Sequence, residues 1–152
     1  PFKCIKFRTM YPEAKDILQN LLKRDYKIKR EFEETHKIKN DPRITTIGKL
    51  LRKTSLDELP QFINVLRNEM SIVGPRPNLL EQKNEYSSDD WRKRNSIRPG
   101  ITGLAQALKR SNASQEERTR LDLMYVDNHS LSNDFYIIIQ TIKQVFFKRG
   151  VN

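Results

Sequence analysis

The tetrapeptide Gly74-Pro75-Arg76-Pro77 leaves its backbone almost no choice. Each proline fixes its own φ and drives the residue before it out of the helical region, so the segment must run as an extended turn. It divides the chain into a short apolar piece before it, residues 70–73, and a stretch after it, residues 79–95, that reads as one helix. Arg76 sits on this stiff support. It is either an incidental arginine on an exposed turn or a preorganised phosphate clamp, for which a planar guanidinium is suited.

Weaker punctuation sets the other elements. Residues 2–10 alternate Phe2, Cys4 or Ile5, and Phe7 with Lys3, Lys6 and Arg8 and predict a short strand or extended segment, which Tyr11-Pro12 ends. Ala14, Ile17, Leu18, Leu21 and Leu22 share one helical face, so residues 13–24 predict an amphipathic helix. Residues 25–40 are charge-rich and read as an exposed excursion. After the turn signal Asp41-Pro42, the spacing of Ile44, Ile47, Leu50 and Leu51 predicts a helix ending near Thr54, with Thr45 or Thr46 as its cap. Gly48 would cost that helix about 1 kcal/mol relative to Ala.

Residues 55–67 have two readings. Ser55 can cap a helix that buries Leu59, Phe62, Ile63 and Leu66; alternatively Pro60 opens the helix, leaving Asp57 and Glu58 in a kinked joint before it. Residues 98–103 read as a loop and residues 116–128 as a helix. Residues 134–147 are apolar nearly all round and form either a core helix or an interfacial one. The expected fold is a small, mostly helical α+β domain covering residues 1–152, with a short strand element and amphipathic helices facing a membrane.

A net charge of +10 favours a polyanionic partner: nucleic acid, an acidic membrane face or a phosphorylated substrate. Cys4 stands alone, which excludes an internal disulfide and a Cys-rich zinc site. His36 and His129 lie far apart and argue against a histidine-based centre. No apolar run approaches the roughly 20 residues that span a bilayer. The chain opens on proline with no signal peptide, which reads as a fragment whose preceding segment is missing. Phosphate-loop, dinucleotide-binding, zinc-finger and RNA-recognition patterns are absent.

The chemistry-bearing stretch is Thr54-Ser55-Leu56-Asp57-Glu58-Leu59-Pro60-Gln61, entered through the basic run Lys49-Leu50-Leu51-Arg52-Lys53. Ser55-x-x-Glu58 by itself is a good capping box. Neighbouring acids on a helix diverge by about 100°, so they would divide labour rather than share one ligand face-on. Their mutual repulsion needs cationic compensation, which Arg52, a helix end or a metal could supply.

Several motifs then occur in one order and spacing: Lys6-Phe7-Arg8-Thr9-Met10, Asp41-Pro42-Arg43-Ile44-Thr45, the stretch from Gly48 to Gln61, Asn64-Val65-Leu66, the run from Met70 to Pro77, and Arg98-Pro99-Gly100-Ile101-Thr102-Gly103-Leu104-Ala105-Gln106. In these the chain resembles the bacterial sugar transferase family, the monotopic phosphoglycosyl transferases. The resemblance implies transfer of a sugar-1-phosphate from a UDP-sugar to polyprenyl phosphate, initiating a cell-surface glycan. Asp57 would be the nucleophile and Glu58 a catalytic acid that holds Mg2+. Arg52 and Arg76 would bind substrate phosphate, helped by Lys6 and Arg110. Asp122 and Asp134 match acids of the family but receive no role. The resemblance also implies an upstream re-entrant membrane helix and a place on the cytoplasmic face of the bacterial inner membrane, with no nucleic-acid partner. Two departures stand out: Asn68-Glu69 where the family often has Gly-Asp, and Leu108-Lys109-Arg110 where Gly-Arg is common.

Overall fold

A computed structural model describes residues 1–35, 38–109 and 113–147. The fold is mostly helical, with one small parallel sheet: α1 Ala14–Arg24, α2 Tyr26–Thr35, α3 Thr46–Thr54, α4 Gln61–Leu66, β1 Ser71–Val73, α5 Ser88–Arg94, β2 Gly100–Thr102, α6 Leu104–Lys109, α7 Gln115–Asp127 and α8 Leu131–Phe147. Three-residue and six-residue 3-10 turns lie at Leu56–Glu58 and Leu80–Glu85. The chain forms two compact units, Lys6–Leu59 and Pro1–Ile5 with Pro60–Asn152.

In the unit Lys6–Leu59, α1 packs on α2 and α3 leads into the first 3-10 turn. The charge-rich excursion is in fact the helix α2. Asp25 Oδ1 starts it by accepting from Lys27 N at 2.8 Å and Ile28 N at 3.2 Å, the bonding pattern of a cap. Tyr26, Ile28 and Phe32 are its only apolar residues, set among charged ones. Of the two readings of residues 2–10, the extended segment holds rather than the strand, apart from one bridge between Met10 and Ile44. From residue 6 onward its backbone groups bond one at a time to scattered partners, Phe7 N to Asp57 O and Thr45 N to Thr9 O, both at 3.0 Å. No second strand runs beside it here, so alternation alone could not make a ladder.

Thr45 caps α3, its Oγ1 accepting from Gly48 N at 2.9 Å. A Cβ on Gly48 would lie 2.0 Å from Thr9 O. The glycine that weakens the helix therefore lets the extended segment rest directly on its first turn.

The turn before α3 is closed by a buried chelate. Asp41 accepts from Arg43 N at 3.0 Å, from Arg43 Nε at 2.8 and 3.0 Å and from Nη2 at 2.6 Å, while the guanidinium lies 5.8 Å from the Phe32 ring centroid. Burial alone would raise the Asp41 carboxyl, but the Arg43 bonds and the charges of Arg43 and Arg52 outweigh it and hold it below its ordinary value. A depressed folded pKa contributes stability that is present above the unfolded pKa of about 3.9 and is lost as pH falls through the folded one. Asp41→Asn is expected to cost about 3 kcal/mol near neutrality, because it leaves a buried guanidinium poorly paired. Thermal melts across the acid range should show this gap narrowing below about pH 4 as the wild type loses the same charge.

In the other unit β1 and β2 pair in parallel, Ser71 opposite Gly100 and Val73 opposite Thr102. The residues read as a loop, 98–103, thus contain a strand. It is only three residues long and begins on a glycine, so the local pattern carried no sign of it. The core gathers Val73, Leu104, Ala105, Ala107, Leu121, Tyr125 and Ile137. Helix α6 packs on α7 and α8, and α8 covers both strands.

Two helical readings need correction. Residues 79–95 are two elements, because Tyr86 is extended at φ −122° and ψ 151° and Ser87 caps α5 by accepting from Asp90 N at 3.1 Å. Ser55 does not cap a helix running to 67. It closes α3 in the left-handed region at φ 59°, with no side-chain cap bond, and α4 begins only after Pro60. Of the two sequence readings, the one with the acids in a joint ahead of Pro60 is realised.

Helix α4 also inverts the expected burial. Gln61 and Asn64 are buried, while Phe62, Ile63 and Leu66 are exposed, as is Leu59 in its own unit. The reason is polar: Asn64 Oδ1 accepts from Ile5 N at 3.0 Å, and Nδ2 donates to Lys3 O at 2.9 Å and Glu69 Oε2 at 2.6 Å. A side chain satisfied by three partners holds the inner face, and the apolar residues face out. Helix α8 serves the core through Ile137 but exposes Phe135, Ile139 and Ile142. Among the described residues no helix is long and apolar enough to cross a membrane.

Candidate functional site

The acids Asp57 and Glu58 occupy the 3-10 turn Leu56–Glu58. Helix α3 delivers them: it ends with Arg52 and Lys53 in its last turn, where cations favour the exposed carbonyls, and Ser55 then reverses the chain. A serine at positive φ costs on the order of 1 kcal/mol, and it turns the backbone out of the helix immediately before the acids. The capping box is not formed; Glu58 N bonds instead to the Ser55 carbonyl at 3.2 Å.

The extended segment ahead of α1 supplies the rest. Lys6 Nζ donates to Glu58 Oε1 at 2.7 Å, Phe7 N to Asp57 O at 3.0 Å, and Thr9 Oγ1 accepts from Arg52 Nε at 2.9 Å. One short segment thus gathers Lys6, Arg52, Asp57 and Glu58, residues up to 52 positions apart in the chain. Thr9 had no role in the sequence reading, yet it is the residue that orients Arg52. The Lys6–Glu58 pair is partly exposed, so its contribution to stability is small, about 0–1 kcal/mol. Its local effect is larger: it offsets one of two adjacent negative charges. Both carboxylates are partly open to solvent, and the Lys6 contact engages Glu58 rather than Asp57.

Arg76 belongs to the unit with Pro60–Asn152, where it is exposed. Its turn is as stiff as the prolines predicted. Gly74 N donates to Thr102 O and Gly100 N to Pro75 O, both at 2.9 Å, and Pro75 is fully buried. The Arg76 carbonyl accepts from Arg94 Nη2 at 2.5 Å. Asp122 pairs with that same Arg94 at 2.8 Å, and Asp134 accepts from the Tyr125 hydroxyl at 2.6 Å. Burial pushes the Asp122 carboxyl up, against the Arg94 and Arg118 charges that pull it down. Tyr125 is also pushed well up, by burial and then by its bond to Asp134. No spacing in the sequence signals the Arg94–Asp122 pair, since the partners lie 28 residues apart on different helices. Arg110 lies outside the described residues.

Among the described residues no three acids, histidines or cysteines form a ready-made cage. Magnesium seldom needs one: it keeps several waters and is held through one or two carboxylates together with substrate phosphates. A partly exposed Glu58 next to Asp57 fits that pattern.

The sequence profile described as bacterial sugar transferase matches residues 1–148. The chain is 47% identical over 150 residues to a UDP-galactose-lipid carrier transferase of Erwinia amylovora, covering 98% of this chain and 31% of the relative. It is 43% identical over 149 residues to an undecaprenyl-phosphate galactose phosphotransferase of Salmonella typhimurium, with the same shares of 98% and 31%. It is likewise 43% identical to the exopolysaccharide production protein ExoY of Rhizobium meliloti, covering 98% of this chain and 66% of that one. The chain therefore spans about a third of the first two relatives and just under two thirds of the third. Similarity that runs through the acid-bearing turn, the extended segment and the proline turn alike leaves one assignment: the chain belongs to the bacterial sugar transferase family.

Proposed function

We propose that residues 1–152 are the catalytic part of a phosphoglycosyl transferase that moves a sugar-1-phosphate from a UDP-sugar to polyprenyl phosphate. The observation that carries this reading is the Asp57-Glu58 turn, two partly exposed acids beside an extended segment whose Lys6 bonds to Glu58 and whose Thr9 bonds to Arg52. The names of the relatives, a lipid carrier transferase and a phosphotransferase, support the substrate classes.

An Asp57 carboxylate oxygen attacks the β-phosphorus of the UDP-sugar. The bond from that phosphorus to the bridging oxygen breaks, and UMP leaves with the electron pair. The sugar phosphate is then held on Asp57 as an acyl phosphate. An oxygen of polyprenyl phosphate attacks the same phosphorus, expels the carboxylate and yields the lipid diphosphate sugar. One difficult transfer is split into two easier ones. Lys6, Arg52 and Arg76 hold the phosphate oxygens, with Arg110 as a further candidate. Glu58 would hold Mg2+, which when bound would neutralise the charge of the diphosphate and polarise it. The exposed apolar residues and the net charge of +10 suit the cytoplasmic face of the inner membrane, where a lipid acceptor and anionic headgroups are met together.

The test is UMP release by the full-length protein across a panel of UDP-sugars with polyprenyl phosphate and magnesium. At least one sugar should release UMP, and EDTA should stop it. Glu58→Gln should raise the magnesium concentration for half activity on the order of tenfold or more. Turnover indifferent to EDTA would remove Glu58 from the metal role.

A further inference from the structure

We propose that Arg94 and Asp122 are positioning residues that lock the backbone of the Pro75-Arg76-Pro77 turn and so fix where the Arg76 guanidinium is presented; this rests on the reading of Arg76 as a phosphate-binding residue.

The pair is nearly sealed from solvent, with side chains 3% and 5% exposed. A buried ion pair is a poor stabilising device, because desolvating both charges offsets most of their attraction. This one is also incompletely satisfied: Asp122 Oδ1 is buried with no hydrogen-bond partner among the described residues. Stability alone gives little reason for such an arrangement. What the pair does achieve is geometric. Arg94 Nε and Nη2 both reach Asp122 Oδ2 at 2.8 Å, which sets the plane of the guanidinium. Its Nη2 then donates to one backbone acceptor, the Arg76 carbonyl, at 2.5 Å.

A third contact closes the arrangement. The guanidinium carbon lies 5.6 Å from the Tyr86 ring centroid, and the Tyr86 hydroxyl accepts from Asn78 Nδ2 at 2.8 Å. Residues 76 and 78, on either side of Pro77, are therefore tied to one rigid cation. Pro75 and Pro77 stiffen φ but supply no N–H, so carbonyls and side chains carry much of what holds the turn. Lysine could not replace Arg94, since a single ammonium lacks the planar fork that meets carboxylate and carbonyl together. Asp122, which matched an acid of the family without a function, acquires one: it orients the residue that orients the turn.

The experiment is a double-mutant cycle on UMP release by the full-length protein, with Arg76→Ala, Arg94→Lys and the double variant. Alone, Arg94→Lys should lower kcat/KM on the order of 10- to 100-fold, the scale set by misplacing a binding group by about 1 Å. Because Arg94 acts through Arg76, the double variant should fall within about twofold of Arg76→Ala. Hydrogen exchange of the peptide around residues 73–79 should quicken in Arg94→Lys while the rest of the protein keeps its protection, a change that a general loss of stability would not confine to one turn. Losses that multiply in the double variant, with the turn's exchange unchanged, overturn the clamp and leave Arg76 standing. An Arg76→Ala variant with undiminished kcat/KM rejects the Arg76 reading, and the clamp falls with it. Should Arg94→Lys not fold, Asp122→Asn, which keeps the shape and removes the charge, goes through the same cycle with the same outcomes.

Discussion

Asp57→Asn is expected to abolish sugar-phosphate transfer while the protein folds as before. The carboxamide has nearly the shape of the carboxylate but lacks a nucleophilic oxygen, so the first bond to phosphorus cannot form. A drop on the order of 10⁴-fold or more in turnover is the scale seen when a covalent nucleophile is removed. The fold should tolerate the change. The structural link at this position is the Asp57 backbone carbonyl, which accepts from Phe7 N and is untouched by the substitution. Removing one of two adjacent negative charges also relieves repulsion, so stability should stay within about 0.5 kcal/mol of the parent. Two measurements check this: UMP release, and trapping of labelled sugar phosphate on the wild-type protein with its position read by mass. Full turnover in the variant, or label on any residue but 57, would sink the role of Asp57.

Gly100→Ala should have the largest effect on stability. A Cβ there would stand 2.1 Å from Gly74 N, 2.3 Å from Thr102 O and 2.6 Å from Val73 C. All three are backbone atoms, so no side chain can swing aside to admit it. The β1–β2 pairing or the proline turn must move, and both are tied together by the Gly100 N to Pro75 O bond. Overpacking against rigid backbone at this severity is expected to cost about 3 kcal/mol or more. For a chain of this length that is a fall of roughly 6–12 °C in Tm. A melt unchanged from wild type would contradict the parallel register of the sheet. Activity should fall as well, because the same shift disturbs the support of Arg76.

The features legible in the sequence are those whose cause lies within a few residues. Prolines 75 and 77 dictate an extended turn through their own rings, and the turn is there. Thr45 caps α3 because a hydroxyl two or three residues from an amide needs no help from elsewhere. The apolar spacing of α1 marks its helix in the same local way. Asp57 and Glu58 stand out as site candidates only through family resemblance, since on spacing alone a capping box is the better account of Ser55-x-x-Glu58.

Where a partner lies far along the chain, local pattern misled or was silent. Residues 2–10 alternate like a strand but meet no second strand; β2 shows no alternation yet is one, because β1 runs beside it. The face of α4 inverted because Asn64 found Lys3, Ile5 and Glu69, a set of contacts that helical periodicity cannot foresee. Ser55 became the left-handed end of one helix rather than the start of another, and α4 begins only after Pro60. By itself, then, the amino-acid sequence determined the stiff turn, the amphipathic helices and, through its ordered motifs, the family. The tertiary structure alone decided that Lys6 stands against Glu58 and that the buried Arg94–Asp122 pair bonds to the Arg76 carbonyl. Propensity acts between neighbours, whereas a hydrogen bond across 28 or 52 residues exists only once packing has closed the distance.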